Sequence, residues 1–363
     1  MSSSSFLSRA QELTGRYLTP WMSEASFDFF AAHVDPLWTR RRLRLEVSAL
    51  NKVGGDILSL RLRSFHALPA APAGTHVEIS AVIDGVRQRR TYTPLWMSEH
   101  ELELGIKKIA DGRFSSWVHD TLKVGDHLEI ERIYGTSPFL QLSGRAAPVL
   151  IAGGSGMTLA MALLHEWAAT SAQRPIHLIQ YARTATELAY LDALAELQTQ
   201  IPALHTHLAL TREPDLESAL QGHFCAQHWQ TLQLDTDSPV IVCGPAGLVD
   251  GVAQVLTDID HQGGLYREAY HRPLVAAPSG APVSVQLGAR QLSVSSQETL
   301  LESLEQAGLQ PKYGCRQGIC MSCTCHKVQG RVQNAIDGSI SDDDEEDIRL
   351  CISRPLTDIE LLI

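Results

Sequence analysis

Four cysteines carry the first chemical signal. Cys315, Cys320 and Cys323 fall in a C-x4-C-x2-C pattern within YGCRQGICMSCTC (313–325), and Cys351 follows after 27 further residues. Four thiolates that converge on two irons take this form, three from one tight loop and the fourth from a distant segment: the plant-type 2Fe-2S ligation pattern. Gly314 and Gly318 suit a backbone that crowds against inorganic sulfide, because glycine accepts turns that a side chain obstructs. Zinc is the competing reading, but structural zinc favours paired C-x2-4-C knuckles, and only Cys320 and Cys323 form one. A disulfide framework is disfavoured, since seven cysteines are diluted in 363 residues with no secretory signal ahead of them. Cys325 is a surplus thiol, read as a small buried residue.

A cluster holds one electron at a time, so the remainder of the chain must supply electrons. Arg90-Thr91-Tyr92-Thr93 ends a strand-like run, and Gly112-Arg113-Phe114-Ser115 opens a short helical one. These types answer the needs of a flavin: a guanidinium for the pyrophosphate, an aromatic face for the ring system, a hydroxyl within reach of N5, and a helix start with free N–H groups for phosphate. Further on, PVLIAGGSGMT passes from an apolar run through Gly153, Gly154 and Gly156 into a helical pattern at Thr158. Backbone amides in such a turn cradle a dinucleotide pyrophosphate, although the motif is not a full G-x-G-x-x-G and plain strand-helix packing uses the same glycines. Arg183 and Arg212 fall just past the next two apolar runs, and Cys243-Gly244-Pro245 ends the third. In a parallel sheet those positions face the ligand crevice.

The elements that position these groups follow from periodicity. Between residues 42 and 142, RLRLEVSAL, ILSLRLRS, HVEISAVID, VRQRRTYT, ELELGIKK and HLEIERIY alternate polar and apolar residues between turns such as Gly54-Gly55 and Asp84-Gly85. Six such strands predict an antiparallel β-barrel. From 148 to 258 strands alternate with helices, which implies an α/β parallel sheet. RPLVAAPSGAP (272–282) reads as a linker, able to span at most ~35–40 Å when extended. Beyond it a hairpin (VSVQLGARQLSVS) and a helix (ETLLESLEQAGL) closed by Gly308 lead into the cysteine loop. Phe6, Leu7, Ala10, Leu13, Tyr17 and Leu18 recur at helical spacing, predicting a helical extension docked on the body, with contact to a membrane surface as the alternative. The chain therefore divides into a 1–39 extension, a 40–145 flavin domain, a 146–271 nucleotide domain, the 272–282 linker and a 283–363 iron-sulfur domain.

In this order RTYT, GRFS, AGGSGMT, CGPAG and Glu268 within REAY resemble the ferredoxin NADP reductase family of flavoenzymes. Arg316, Gly318 and Ser322 among the cysteines make the last domain similar to a plant-type ferredoxin, of the α+β, β-grasp class. Over residues 40–363 the chain resembles the reductase components of bacterial oxygenases. The resemblance implies that Arg90, Tyr92 and Thr93 hold the flavin, with Thr93 near N5, and that Gly112 and Ser115 bind its phosphates. It implies that Gly153, Gly154, Gly156 and Thr158 bind the nicotinamide nucleotide's pyrophosphate. Cys243, beside Gly244 and Pro245, would face the nicotinamide, and Glu268 the flavin edge. GRFSSW resembles FAD-using members, so FAD is expected. Arg212 in TRE resembles a family Ser-Arg pair that clamps a 2'-phosphate, since a guanidinium pairs well with phosphate, so NADPH is favoured with NADH compatible. Two departures are Thr158-Leu159 where the family has Thr-Pro, and Thr93 for the usual Ser. The implied relay takes a hydride from NAD(P)H to flavin N5 and single electrons onward to the cluster.

The acceptor is then the open question. HVDPLW (33–38) resembles reductases that supply membrane-bound fatty acyl desaturases or alkane hydroxylases. The alternatives are a soluble Rieske or diiron oxygenase, and a flavin and iron-sulfur redox sensor. A net charge of −11 excludes nucleic acid as a partner. No secretory signal or transmembrane stretch is apparent, so the expected location is cytoplasmic, peripheral to the inner membrane through the acceptor. The run DDDEED (342–347) close before Cys351 either steers a basic partner or is solvated surface.

Overall fold

Three sheets carry the chain. The computed structural model describes residues 30, 37–39, 43–110, 112–142, 146–171, 173–213, 220–270, 275–277, 282–313, 318 and 321–362. The helical extension predicted over 1–39 thus lies almost wholly outside the described residues. Its end packs on the body: Leu37 and Thr39 are buried, and the Trp38 ring lies 5.9 Å from Phe65.

Alternation builds the first sheet. β1 (Leu43–Gly54), β2 (Ile57–Ser64), β3 (His76–Ile83), β4 (Val86–Tyr92), β5 (Pro94–Trp96), β6 (Glu101–Lys107) and β7 (His127–Tyr134) pair antiparallel in the order β4-β3-β7-β1-β2-β6-β5. Six are the predicted runs. The seventh, β5, is a short edge strand begun by Pro94, where a missing N–H costs least. Leu45, Leu60, Val77, Leu102 and Leu128 face one core, closed by Phe114 and Val118 of helix α1 (Arg113–Asp120). No ladder among the described residues joins β4 to β5, so the barrel is a curled sheet left open between them.

After a short turn of helix, α2 (Pro138–Gln141), the apolar runs become continuous, as burial on both faces of a parallel sheet requires. β8 (Val149–Gly153), β9 (Ile176–Ala182), β10 (Leu204–Leu210), β11 (Leu220–Gln221), β12 (Val240–Pro245) and β13 (Leu265–Tyr270) lie in the order β11-β10-β9-β8-β12-β13. Helices α3 (Met157–Ser171), α4 (Leu191–Gln200), α5 (Ala226–Thr231) and α6 (Ala246–Asp258) connect them. The strand order reverses between β8 and β12, the switch point at which such sheets bind ligand. The first two sheets are joined directly. Tyr190 N–H donates to the Val53 carbonyl at 2.6 Å and Gly55 N–H to the Thr186 carbonyl at 3.2 Å. Gly105 permits this approach, since a Cβ there would lie 2.2 Å from the Tyr190 hydroxyl.

The third sheet has the order β15-β14-β21-β16-β19, formed by β14 (Val283–Leu287), β15 (Arg290–Val294), β16 (Thr324–Gln329), β19 (Glu346–Arg349) and β21 (Ile359–Leu362). A smaller one pairs β17 (Val332–Asn334) with β18 (Ile340–Ser341) and β20 (Ser353–Pro355). The predicted helix is α7 (Leu300–Gln306), opened by a reciprocal Thr299–Glu302 capping box and followed by Gly308 at φ +79°. Within the expected linker, Val275 is already tied to this domain: its N–H donates to Ala335 O at 2.8 Å and its carbonyl accepts from Arg354 at 2.7 Å. The acidic run is a loop entering β19. Fully buried Lys327 pins it by donating to the carbonyl of Asp343 and by pairing with Glu346 at 3.4 Å.

Candidate functional site

The glycine turn after β8 is shaped by close approach. Gly154 has φ +55°, and a Cβ on Gly156 would sit 2.0 Å from the carbonyl oxygen of Cys243, so the turn lies flat against the end of β12. Thr158 donates its hydroxyl to Ser155 O at 2.9 Å and secures the start of α3. Leu159, standing where the resemblance has Pro, is fully buried and enters the core instead. Beyond β9 and β10, the Arg212 N–H donates to the Arg183 carbonyl at 2.9 Å and holds the two loops together. Their side chains differ. The Arg183 guanidinium is engaged by Glu187 at 2.9 Å, which depresses that carboxyl's pKa. The Arg212 side chain is exposed and makes no hydrogen bond or ion pair among the described residues.

The three predicted catalytic residues meet at the junction of the first two sheets. Parallel pairing sets Cys243 on β12 opposite Glu268 on β13. Antiparallel pairing of β3 with β4 sets Thr93, one residue past β4, beside His76, and their Oγ1 and Nδ1 atoms are hydrogen-bonded at 3.2 Å. His76 Nε2 lies 3.8 Å from Glu268 Oε2, to which the Tyr266 hydroxyl donates at 3.3 Å. Thr93, His76, Cys243 and Glu268 are all buried. Burial pushes the Glu268 carboxyl above the usual carboxylate range, against the opposing pull of His76 and of hydrogen bonds from Tyr266, Cys243 and Thr93. The result is a buried carboxyl beside a buried imidazole, a pair suited to holding and passing a proton. His76 and Tyr266 escape sequence reasoning, because only the register of β3 and β13 reveals them.

The flavin groups are consistent with the expected cofactor. Tyr92 packs on Phe114 with ring centroids 6.0 Å apart. The Ser115 hydroxyl closes its own turn, donating to Gly112 O at 3.1 Å and accepting from Ile109 N–H at 3.2 Å. No side chain caps α1, which leaves its first-turn amides without an intrahelical partner. Arg90 lines a cleft of about 670 Å³ between β4 and residues 308–313, with Arg87, Arg89, Gln310 and Lys312. Glu305 also lines it, and Arg87 is already paired with Glu129 and Glu131.

For the cluster, Cys323 and Cys351 are buried in the same core, and the Leu350 N–H donates to Cys323 O at 3.1 Å. Cys315 and Cys320 lie outside the described residues. Gly318 has φ +72°, and a Cβ on it would lie 2.6 Å from Ile352, so Gly318 packs tightly against the residue that follows Cys351. Arg349 donates to the Gly318 carbonyl and anchors that turn. Cys325 is buried and its thiol is pushed up to about 12 by burial, which keeps it neutral. These features fit a closely wrapped 2Fe-2S cluster.

Known proteins agree with this layout. Residues 44–138 match an oxidoreductase FAD-binding domain, 150–254 an oxidoreductase NAD-binding domain, and 285–356 a 2Fe-2S iron-sulfur cluster binding domain. The beta subunit of the heme-dependent oxidative N-demethylase of Ectopseudomonas mendocina is 30% identical over 305 residues, 81% of this chain and 91% of that protein. The reductase subunit TsaB1 of the toluene-4-sulfonate monooxygenase system of Comamonas testosteroni is 28% identical over 317 residues, 85% and 94% of the two chains. The structure of phthalate dioxygenase reductase shares the fold with a TM-score of 0.60 and 22% identity, covering 88% of this chain and 97% of that one.

Proposed function

The chain belongs to the ferredoxin NADP reductase family of FAD- and NAD-binding reductases that carry a C-terminal 2Fe-2S ferredoxin domain, and from that we propose that it serves the oxygenase of a soluble multicomponent system. It is an NAD(P)H-dependent oxidoreductase using FAD and a 2Fe-2S cluster. The observation that carries the acceptor is the match of all three parts, nearly end to end, with a reductase subunit of a monooxygenase system. The desaturase expectation rests on residues 33–38, whose described end, Leu37 and Trp38, is accounted for by packing on the body. None of the relatives named above is a desaturase reductase. Among the described residues no helix is long and apolar enough to cross a membrane.

When bound, FAD accepts an electron pair as hydride and releases electrons singly to the cluster, and that chemistry belongs to the cofactors. The protein supplies positions and a proton route. Gly153, Gly154 and Gly156 would present backbone to the pyrophosphate, and Arg90 with the start of α1 would hold the FAD phosphates. A hydride whose two electrons leave one at a time leaves a proton behind. Thr93 Oγ1, hydrogen-bonded to His76 Nδ1, and Glu268 Oε2, 3.8 Å from His76 Nε2, are the buried sites that would take it up. Cys323 and Cys351, with Cys315 and Cys320, ligate the iron.

The acceptor is tested by anaerobically reducing the holoenzyme and adding either a soluble Rieske oxygenase or a membrane-bound desaturase. Oxidation by the soluble oxygenase is the expected result, and oxidation by the desaturase alone overturns the assignment. Coenzyme choice rests on Arg212. Arg212→Ala should lower kcat/KM for NADPH by roughly 10- to 100-fold, the worth of a charged hydrogen bond, and leave NADH unaffected. Equal loss with both coenzymes would remove the 2'-phosphate role.

A further inference from the structure

Among the described residues, Ser322 joins the cluster loop to the flavin sheet through polar contacts that the reductase chemistry so far leaves unused. Ser322, next to the ligand Cys323, accepts a hydrogen bond from Arg132 Nη2 at 2.8 Å and directs its hydroxyl to Glu78 Oε2 at 3.5 Å. Arg132 and Glu78 are cross-strand partners on β7 and β3, and a bulge at Glu131 shifts the register beside them. A bulge at such a place re-aims a side chain, and Glu78 is only 4% exposed, a carboxylate that needs its partners. The set continues inward. The Arg132 guanidinium lies over the Tyr134 ring at 4.9 Å, the Tyr134 ring is 5.6 Å from His76, and His76 is bonded to Thr93. Contacts therefore run without a break from the residue assigned to flavin N5 to Ser322, the neighbour of a cluster ligand.

We propose that Arg132 and Glu78 form a latch for Ser322 that docks the cluster loop on the flavin sheet and so sets the rate of electron transfer from flavin to cluster. The proposal rests on the reductase reading. In the step concerned, one electron leaves the flavin already reduced by NAD(P)H and one ferric iron becomes ferrous, with no bond to protein made or broken. Electron transfer falls steeply with distance, so only the docked arrangement is fast. Losing a charged hydrogen bond shifts a docked-undocked equilibrium by about tenfold or more. These are positioning residues, and the hydride step does not need them.

The test uses holoenzyme carrying Ser322→Ala and, separately, Arg132→Ala. Ser322→Ala removes only a neutral hydroxyl, retains both charged groups and guards against misfolding of the second variant. Anaerobic stopped-flow with NADPH would follow flavin bleaching and cluster reduction separately, and hydrogen-deuterium exchange would follow residues 321–325. Unchanged flavin bleaching, cluster reduction slowed by up to about tenfold and faster exchange in that segment are expected, with cluster content and potential unaltered. Cluster reduction at the wild-type rate, or exchange unchanged, overturns the latch. Wild-type protein whose flavin is not bleached by either coenzyme would overturn the reductase reading itself.

Discussion

Cys351→Ser is expected to abolish delivery to the one-electron acceptor cytochrome c while leaving NAD(P)H-driven flavin reduction in place. Cys351 sits 5% exposed on a tight turn between β19 and β20, packed in one core with Cys323. A harder oxygen ligand there weakens a site that depends on four soft thiolates. The measurement is direct: visible absorption and iron content report the cluster, ferricyanide reduction reports the flavin, and cytochrome c reports the whole relay. Cys325→Ser provides the contrast. It should retain the cluster, since Cys325 is a neutral buried thiol facing the sheet core. Loss of the cluster in Cys325→Ser with retention in Cys351→Ser would reverse the ligand assignment.

Glu268→Gln is expected to slow steady-state NAD(P)H turnover by about 100-fold, the lower range for a positioned proton-transfer group. The substitution preserves volume and one acceptor oxygen but replaces the other, titrating oxygen by an amide donor. Its pH signature separates proton transfer from packing. Burial raises the Glu268 pKa, so the carboxyl keeps its proton to a higher pH than an ordinary glutamate. A proton acceptor works in its ionised form. Wild-type turnover should therefore rise with pH through that raised pKa, and the rise should vanish in Glu268→Gln. A variant that is slow but keeps the wild-type pH profile would assign Glu268 a purely structural role.

The two results separate the ends of the relay, and the ends were unequally legible in the sequence. The cysteine spacing declares an iron-sulfur site because ligand chemistry is local: three thiolates in nine residues already define the loop. The glycine turn declares a phosphate cradle for the same reason, and period-two alternation declares six of the seven strands in the first sheet. These patterns determine the cofactor classes, their order along the chain and the three fold types.

Tertiary structure decided what depends on register and on distant partners. A strand's pattern states which face a residue occupies, not which strand lies beside it. His76 opens an unremarkable polar-apolar run, and only the pairing of Val77 with Tyr92 brings it to Thr93. Cys243 and Glu268 are a pair because β12 and β13 align in parallel, and Arg183 is spent on Glu187 while Arg212 is not. Arg132 and Ser322 stand 190 residues apart, on domains joined through a segment that Val275 ties to the cluster side. The sequence by itself determined which cofactors this protein holds, since each is met by a short, local set of groups. How those cofactors are brought together was decided by strand register and domain docking, which are non-local and leave no periodic trace.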